Sequence, residues 1–463
     1  MGDSMDSDII EALRELVGEA FVLTNRDKIQ DYLQDETPET VRPHPASDVV
    51  LVKPASAGEV SGIMKLADEN KLAVFLRGGG TGLVGGAIPS KNGIVISLER
   101  MDRIEIDNDN LMAIVEAGAT LEKLIEAATT AGLNFPLHPG DESAQIGGLI
   151  VTNAGGANAI RYGIMRNYVK GIETVLPSGE VVKLGGKLQK NNSGYDLMQL
   201  IIGSEGTLAV VTKGILKLYP KSDVTAIMII PFENGHDAIG AVPKILCNGK
   251  APLAIEYVEK DLMEKTAKAL GENWPDKQGY CYLLVTVAET NSEQVILESS
   301  RIGEVCQANK CLEILFAEAS DEKNRILKIR SAIYSVLKDD SADILDVTVP
   351  SANIGKMIDA VNTVAEKYSV ALPTYGHAGD GNLHVHIMKN DKKNAVSIDE
   401  LRNEIYHAAI NLEGVITGEH GIGRTRIGSV SRYIPENELE LMRKIKRVFD
   451  PNNTLNPGVK IPL

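Results

Sequence analysis

The chain is short of cysteine, short of positive charge, and nowhere apolar for long. Its four cysteines, Cys247, Cys281, Cys306 and Cys311, include no CxxC pair. Iron–sulfur and zinc-ribbon spacings are therefore excluded. Nothing suggests a disulfide framework, so the expected compartment is a reducing cytoplasm. No apolar run approaches the roughly 18 residues of a membrane span. The opening stretch, MGDSMDSDIIEALREL, is acidic and helical in pattern, with no basic start and no signal-type apolar core. A net charge of -15 and a pI near 5.1 argue against nucleic acid or anionic lipid as the main partner. An anionic substrate would need a local positive site. Internal repeats and low-complexity segments are absent.

A length of 463 residues allows two or three domains with real cores. From residue 45 the pattern alternates between β and α signals. Strands are expected at 49–53, 73–77, 93–98 and 112–116. Ser56 and Glu59 form a capping box ahead of Val60, Ile63, Met64 and Ala67 at helical spacing. Thr120 caps a further helix that Gly132 stops. After Pro220 the text becomes longer-period α+β, and the last segment is dense in motifs. The boundaries read as 1–44, 45–220, 221–410 and 411–463.

Glycine is concentrated in loops. The stretch RGGGTGLVGGA, residues 77–87, contains GxGxxG, and Glu99 follows 19 residues after Gly80. This imitates the dinucleotide fingerprint, which needs a helix opening at the glycines to hold the pyrophosphate. Here Pro89 and Gly93 leave no room for one, so the NAD reading is rejected. The loop can instead wrap backbone N–H groups around an anion, with Arg77 at its entrance. Two more glycine-rich regions cover 139–163 and 191–210.

Three of the eight histidines fall within GHAGDGNLHVHI, residues 376–387. On a strand, His384 and His386 would share a face and could pair on a metal. The Gly379-Asp380-Gly381 turn could instead bring His377 to His384. Spacing leaves both arrangements open. Farther on, Gly418-Glu419-His420-Gly421 places a carboxylate beside an imidazole between glycines. Two histidines and a carboxylate with open positions suit a divalent metal.

The segments RGGGTGLVGGA, IGGLIVTNAGGANAIRYG and IIGSEGTLAVVT together resemble the FAD-binding domain of the vanillyl-alcohol-oxidase type flavoproteins. TYGHAGDGNLHVHI, GVITGEHGIGRTR and FDPNNTLNPG narrow the resemblance. They are similar to the FAD-linked 2-hydroxyacid dehydrogenases, the branch holding the glycolate oxidase catalytic subunit, D-lactate dehydrogenase and D-2-hydroxyglutarate dehydrogenase. The resemblance implies an α+β fold: a two-subdomain FAD-binding domain at 45–220 and an α+β substrate (cap) domain at 221–410. It makes 1–44 an N-terminal helical segment and returns 411–463 to the flavin to complete the active site.

The resemblance also implies roles. Arg77, Gly78, Gly79, Gly80, Thr81 and Gly82 would hold the FAD pyrophosphate. Pro139, Gly140, Ser143, Ile146, Gly147, Gly148, Asn153, Gly155 and Gly156 would line the flavin and ribityl chain. Gly203, Glu205 and Val210 would lie towards the adenosine end, and Asn456 in the carboxy-terminal motif would also contact the cofactor. Thr81 stands where some relatives attach flavin through histidine, so non-covalent FAD is expected. His377, His384 and Glu419 match metal ligands (zinc, iron or manganese), and His420 matches the general base. His386 would be a further ligand or lie behind the others. Arg330 would hold the substrate carboxylate. Lys190 and Tyr195 are further pocket candidates.

The chemistry asks for this set. Oxidising a 2-hydroxy acid removes a proton from the hydroxyl and a hydride from the α-carbon. A chelating cation acidifies the hydroxyl, an imidazole takes the proton, and flavin takes the hydride. Relatives specific for the five-carbon diacid carry a lysine just before the aspartate matching Asp346. Ile344 and Leu345 here favour a small monocarboxylate, D-lactate or glycolate, over D-2-hydroxyglutarate. The electron acceptor is expected to be a separate carrier such as an electron-transferring flavoprotein. Two other readings stay open: a same-fold FAD enzyme of lipid-synthase type, and a non-catalytic flavoprotein subunit.

Overall fold

A computed structural model describes residues 5–221, 224–389 and 396–463. The reading of residues 1–4 lies outside these, and the helix expected there runs Ser7–Val17.

The amino-terminal half contains two small sheets. The first has four strands in the order Val22–Leu23, Val49–Val52, Gly93–Ser97 and Ala73–Arg77, the last three of them parallel. Helix Ala57–Glu69 covers it, and Ser56 caps that helix by accepting from the Glu59 amide. Val60, Ile63, Met64 and Ala67 are all fully buried, as their spacing predicts. The second sheet is antiparallel, with strand order 104–107, 112–116, 210–217, 169–175 and 181–185. Thr120 caps helix Leu121–Thr130 beside it. Each sheet has its own core, and Val210 lies in the first core although its strand belongs to the second sheet.

The 1–44 segment is not a detached helix. Val22 and Leu23 pair with Val52 and Leu51, and Leu13 and Val17 pack into the first core. The short strand VL carries no alternation long enough to read from sequence.

Beyond Pro220 the chain builds a seven-stranded antiparallel sheet with helices on its faces. Strand Ala254–Glu259 and the hairpin Thr374–His377/Asn382–Met388 are internal, and Ser341–Thr348 is the edge beyond them. The last segment crosses back. Leu455 bridges to Val74, and the Asn456 side chain accepts from the Leu76 amide while donating to the Glu205 carbonyl. That return puts carboxy-terminal residues between the glycine loops and the seven-stranded sheet.

Candidate active site

The loop after strand Ala73–Arg77 enters no helix before strand Gly93–Ser97, in keeping with rejection of the dinucleotide fingerprint. Glu99 is bound to Lys53 at 2.7 Å and Tyr32 at 2.9 Å, so it serves no ribose. Among the described residues, the backbone N–H groups of residues 78–82 donate to no acceptor within the chain. A row of free amides suits a diphosphate.

A long cleft runs past this loop. It is lined by Arg77, Gly78, Gly79, Gly80, Thr81 and Gly82 on one side. Pro139, Gly147, Gly148 and Gly155 face it from the second glycine region, with Glu205 and Asn456 at the end. Gly140 opens instead onto the neighbouring cavity. Ser143, Ile146, Asn153, Gly156, Gly203 and Val210 line neither. Ile146 and Val210 face the cores, while Val211 takes the cleft-side position on its strand. Lys190 and Tyr195 are exposed on the loop before residue 198, away from both cavities, and Tyr195 is 97% exposed.

The cleft fits FAD on one further observation. A Cβ built on Gly148, in helix Ile146–Thr152, meets nothing within 4 Å although the residue lines the cleft. Side-chain volume added there enters the cofactor's space without disturbing the fold. We expect Gly148→Val to leave the apoprotein folded and to weaken FAD binding about tenfold to a hundredfold, as overpacking by ~1–3 kcal/mol does. Titration of the apoprotein with FAD measures it.

The cleft meets a second cavity of about 630 Å³ below the seven-stranded sheet. Both touch Glu419 and His420. The hairpin register sets Tyr375 opposite His384 and His377 opposite Asn382. His377 and His384 are thus diagonal neighbours, with ring centroids 5.3 Å apart. Glu419 Oε1 lies 3.5 Å from His377 Nε2 and 3.4 Å from His384 Nε2. One atom from each of the three falls within 4.8 Å of the others. His386 shares the face of His384 but turns to Ser341 Oγ at 2.7 Å and Tyr375 Oη at 3.3 Å. Burial lowers its pKa to about 3, and it stands outside the His377–His384–Glu419 group.

Two carboxylates that sequence reasoning left without a role organise these groups. Glu256, on strand Ala254–Glu259, accepts from His377 Nδ1 at 2.6 Å. It also pairs with Arg330 Nη2. This fixes the His377 tautomer and aims Nε2 at Glu419. Burial opposes charge on both partners. Even so, His377 and Arg330 hold the Glu256 carboxyl down at about 2, and Glu256 and Glu419 raise His377 well above the usual imidazole value. The sequence signal was an acid inside the apolar run AIEYV, which does not by itself name its donors.

Asp346 is the second. Its Oδ2 accepts from Thr417 Oγ1 and from the amides of Gly418, Glu419 and His420, each at 2.8 Å. Its Oδ1 accepts from Asn382 Nδ2 at 2.7 Å. Asp346 could also group with His384 and His420 around a metal, but four donors already converge on its Oδ2 and Asn382 holds its Oδ1. It is an anchor for the turn. The turn's glycines follow from crowding: a Cβ on Gly418 would lie 2.1 Å from Thr348 Oγ1, and one on Gly421 2.8 Å from Glu205 Oε1. His420 stacks on His384 at 4.9 Å, with its Nδ1 buried and unpartnered among the described residues.

Comparison with known proteins agrees with this architecture. Residues 49–185 match the FAD binding domain family, and residues 221–459 match "FAD linked oxidases, C-terminal domain". A D-lactate dehydrogenase of Archaeoglobus fulgidus is 43% identical, covering 92% of this chain and 94% of its own. Glycolate oxidase subunit GlcD of Bacillus subtilis is 33% identical, covering 97% and 96%. The structure of p-cresol methylhydroxylase superposes with a TM-score of 0.77 at 19% identity, over 97% of this chain and 96% of that one, which is likeness of fold. Fold and domains together define an FAD-dependent oxidoreductase of the vanillyl-alcohol-oxidase type. The chain belongs to the FAD-linked oxidase family, in the branch of the 2-hydroxyacid dehydrogenases. Among the described residues no helix is long and apolar enough to cross a membrane.

Proposed function

We propose that this chain oxidises a small D-2-hydroxy acid such as D-lactate, or glycolate, to the 2-oxo acid, and hands the electrons to a separate carrier such as an electron-transferring flavoprotein. The observation that carries this reading is the meeting of His377, His384, Glu419 and His420 where the cofactor cleft opens into the second cavity. The names carried by the two relatives favour the same substrates.

FAD, held non-covalently along the glycine loops, would supply the hydride acceptor. A divalent metal held by His377, His384 and Glu419 would supply the Lewis acidity that lowers the pKa of the substrate hydroxyl. The remaining work falls to side chains. His420 accepts the hydroxyl proton on a ring nitrogen. Arg330 binds the carboxylate with the guanidinium donors that Glu256 leaves free, its plane held over the Tyr375 ring at 4.8 Å. Ile344 lines the cavity, an apolar surface where a second carboxylate would need a cation. Lys338, also on the cavity, is paired with Glu36 at 3.0 Å. That disfavours a diacid.

Anaerobic mixing with a panel of D- and L-2-hydroxy acids tests the proposal. D-lactate or glycolate should bleach the visible flavin band, and L-lactate should not. Persistence of the band with every 2-hydroxy acid would overturn it. Acid or heat should release the flavin, because Thr81 offers no nucleophilic ring nitrogen; flavin remaining on the denatured chain would contradict non-covalent binding.

A further inference from the structure

Glu205 lines the cofactor cleft and was expected, by resemblance, to serve the adenosine end of FAD. Its carboxylate is engaged elsewhere. Oε1 accepts from the Ile422 amide at 2.9 Å and Oε2 from the Gly423 amide at 2.7 Å. Lys460 Nζ sits 3.1 Å from Oε1. The side chain is 5% exposed, and Glu205 holds a left-handed backbone with φ of +54°, unusual for a residue with a Cβ. The Asn456 amide in turn ties down the Glu205 carbonyl at 2.9 Å. Every one of these bonds faces the returning carboxy-terminal segment.

We propose that Glu205 is a positioning residue for the metal and proton-transfer groups. It grips residues 422–423 from the FAD-binding domain as Asp346 grips 417–420 from the cap domain. Glu419 and His420 lie between the two grips. A strap held at one end only could pivot about Asp346; held at both, it presents Glu419 to His377 and His384, and His420 to the cleft. Outer partners of this kind act on a metal site through ligand orientation. The inference rests on the proposed metal site.

Glu205→Gln is the test. An amide can accept from one of the two N–H groups but turns its own NH₂ towards the other, so the grip is halved with little change of shape. Zinc affinity of metal-stripped, FAD-loaded protein, measured by calorimetry, should fall about tenfold to a hundredfold. FAD affinity should stay within about twofold, since the carboxylate is committed to the strap. Loss of FAD affinity, alone or together with that for zinc, or no change in either, would overturn the proposal. Should the variant not fold, the wild-type FAD-free protein still decides. Slow hydrogen exchange at the Ile422 and Gly423 amides supports a grip independent of cofactor; fast exchange refutes it. Failure of the wild type to bind zinc would instead sink the metal reading, which the exchange measurement does not depend on.

Discussion

Asp346→Ala is expected to destabilise the protein by about 3–5 kcal/mol and to abolish metal binding at the same time. The stability loss comes from polar groups rather than from packing. One carboxylate oxygen serves three consecutive amides and the Thr417 hydroxyl, and the other serves Asn382. Each orphaned buried donor costs ~1–3 kcal/mol, less where water reaches the half-buried turn. Burial alone would favour the neutral acid, but His420, His384 and the converging donors keep Asp346 ionised well below the ordinary carboxylate range. The metal loss has a separate route, because the amide of Glu419 is one of the five groups released. Asp346→Asn should separate the two. It retains the volume and sets an NH₂ against either the turn or Asn382, so the fold should survive while metal affinity falls about tenfold to a hundredfold. Urea unfolding and metal analysis of both variants check it. An alanine variant of wild-type stability with full metal content would show that the turn holds itself.

The second large effect separates the neighbours Glu419 and His420. His420→Ala should keep metal and FAD while slowing substrate-driven flavin reduction by ~10²–10⁴-fold, the usual worth of a general base. Its residual rate should rise with pH, as hydroxide replaces the imidazole. Glu419→Ala should instead lose or weaken the metal, and added metal should restore part of the rate. The structure supports this division: Glu419 lies within 3.5 Å of both histidine Nε2 atoms, whereas His420 Nδ1 has no partner among the described residues. Metal content and the pH profile of each variant decide. If His420→Ala loses its metal as readily as Glu419→Ala, His420 is itself a ligand.

Local signals were legible in the sequence. The Ser56 and Thr120 caps, strands Ala73–Arg77 and Met112–Glu116, and the absence of a helix after Gly85 all follow from neighbours a few residues apart. The choice between His384–His386 and His377–His384 was not, because it depends on hairpin register, which both local spacings satisfy. The roles of Glu256 and Asp346 were not legible, for another reason. A buried carboxylate is intelligible only from its donors, and theirs come from as far as 121 residues away for His377 and 74 for His420. Lys190 and Tyr195 show the opposite error: polar residues near a motif look functional, and nothing local shows that the loop points to solvent.

The two-residue strand Val22–Leu23 has a practical consequence for anyone trimming this protein. The family match begins at residue 49, which invites a shortened chain starting there. Such a fragment would lose the pairing of Val22 and Leu23 with Val52 and Leu51. Strand VVLV, buried at all four positions, would become an open sheet border of bare amides and carbonyls. Leu13 and Val17 would also go, uncovering the apolar layer of Val60, Ile63 and Met64. An unpaired, hydrophobic border is a template for sticking to other chains, so a fragment begun at the motif would yield aggregate where the longer chain yields a flavoprotein.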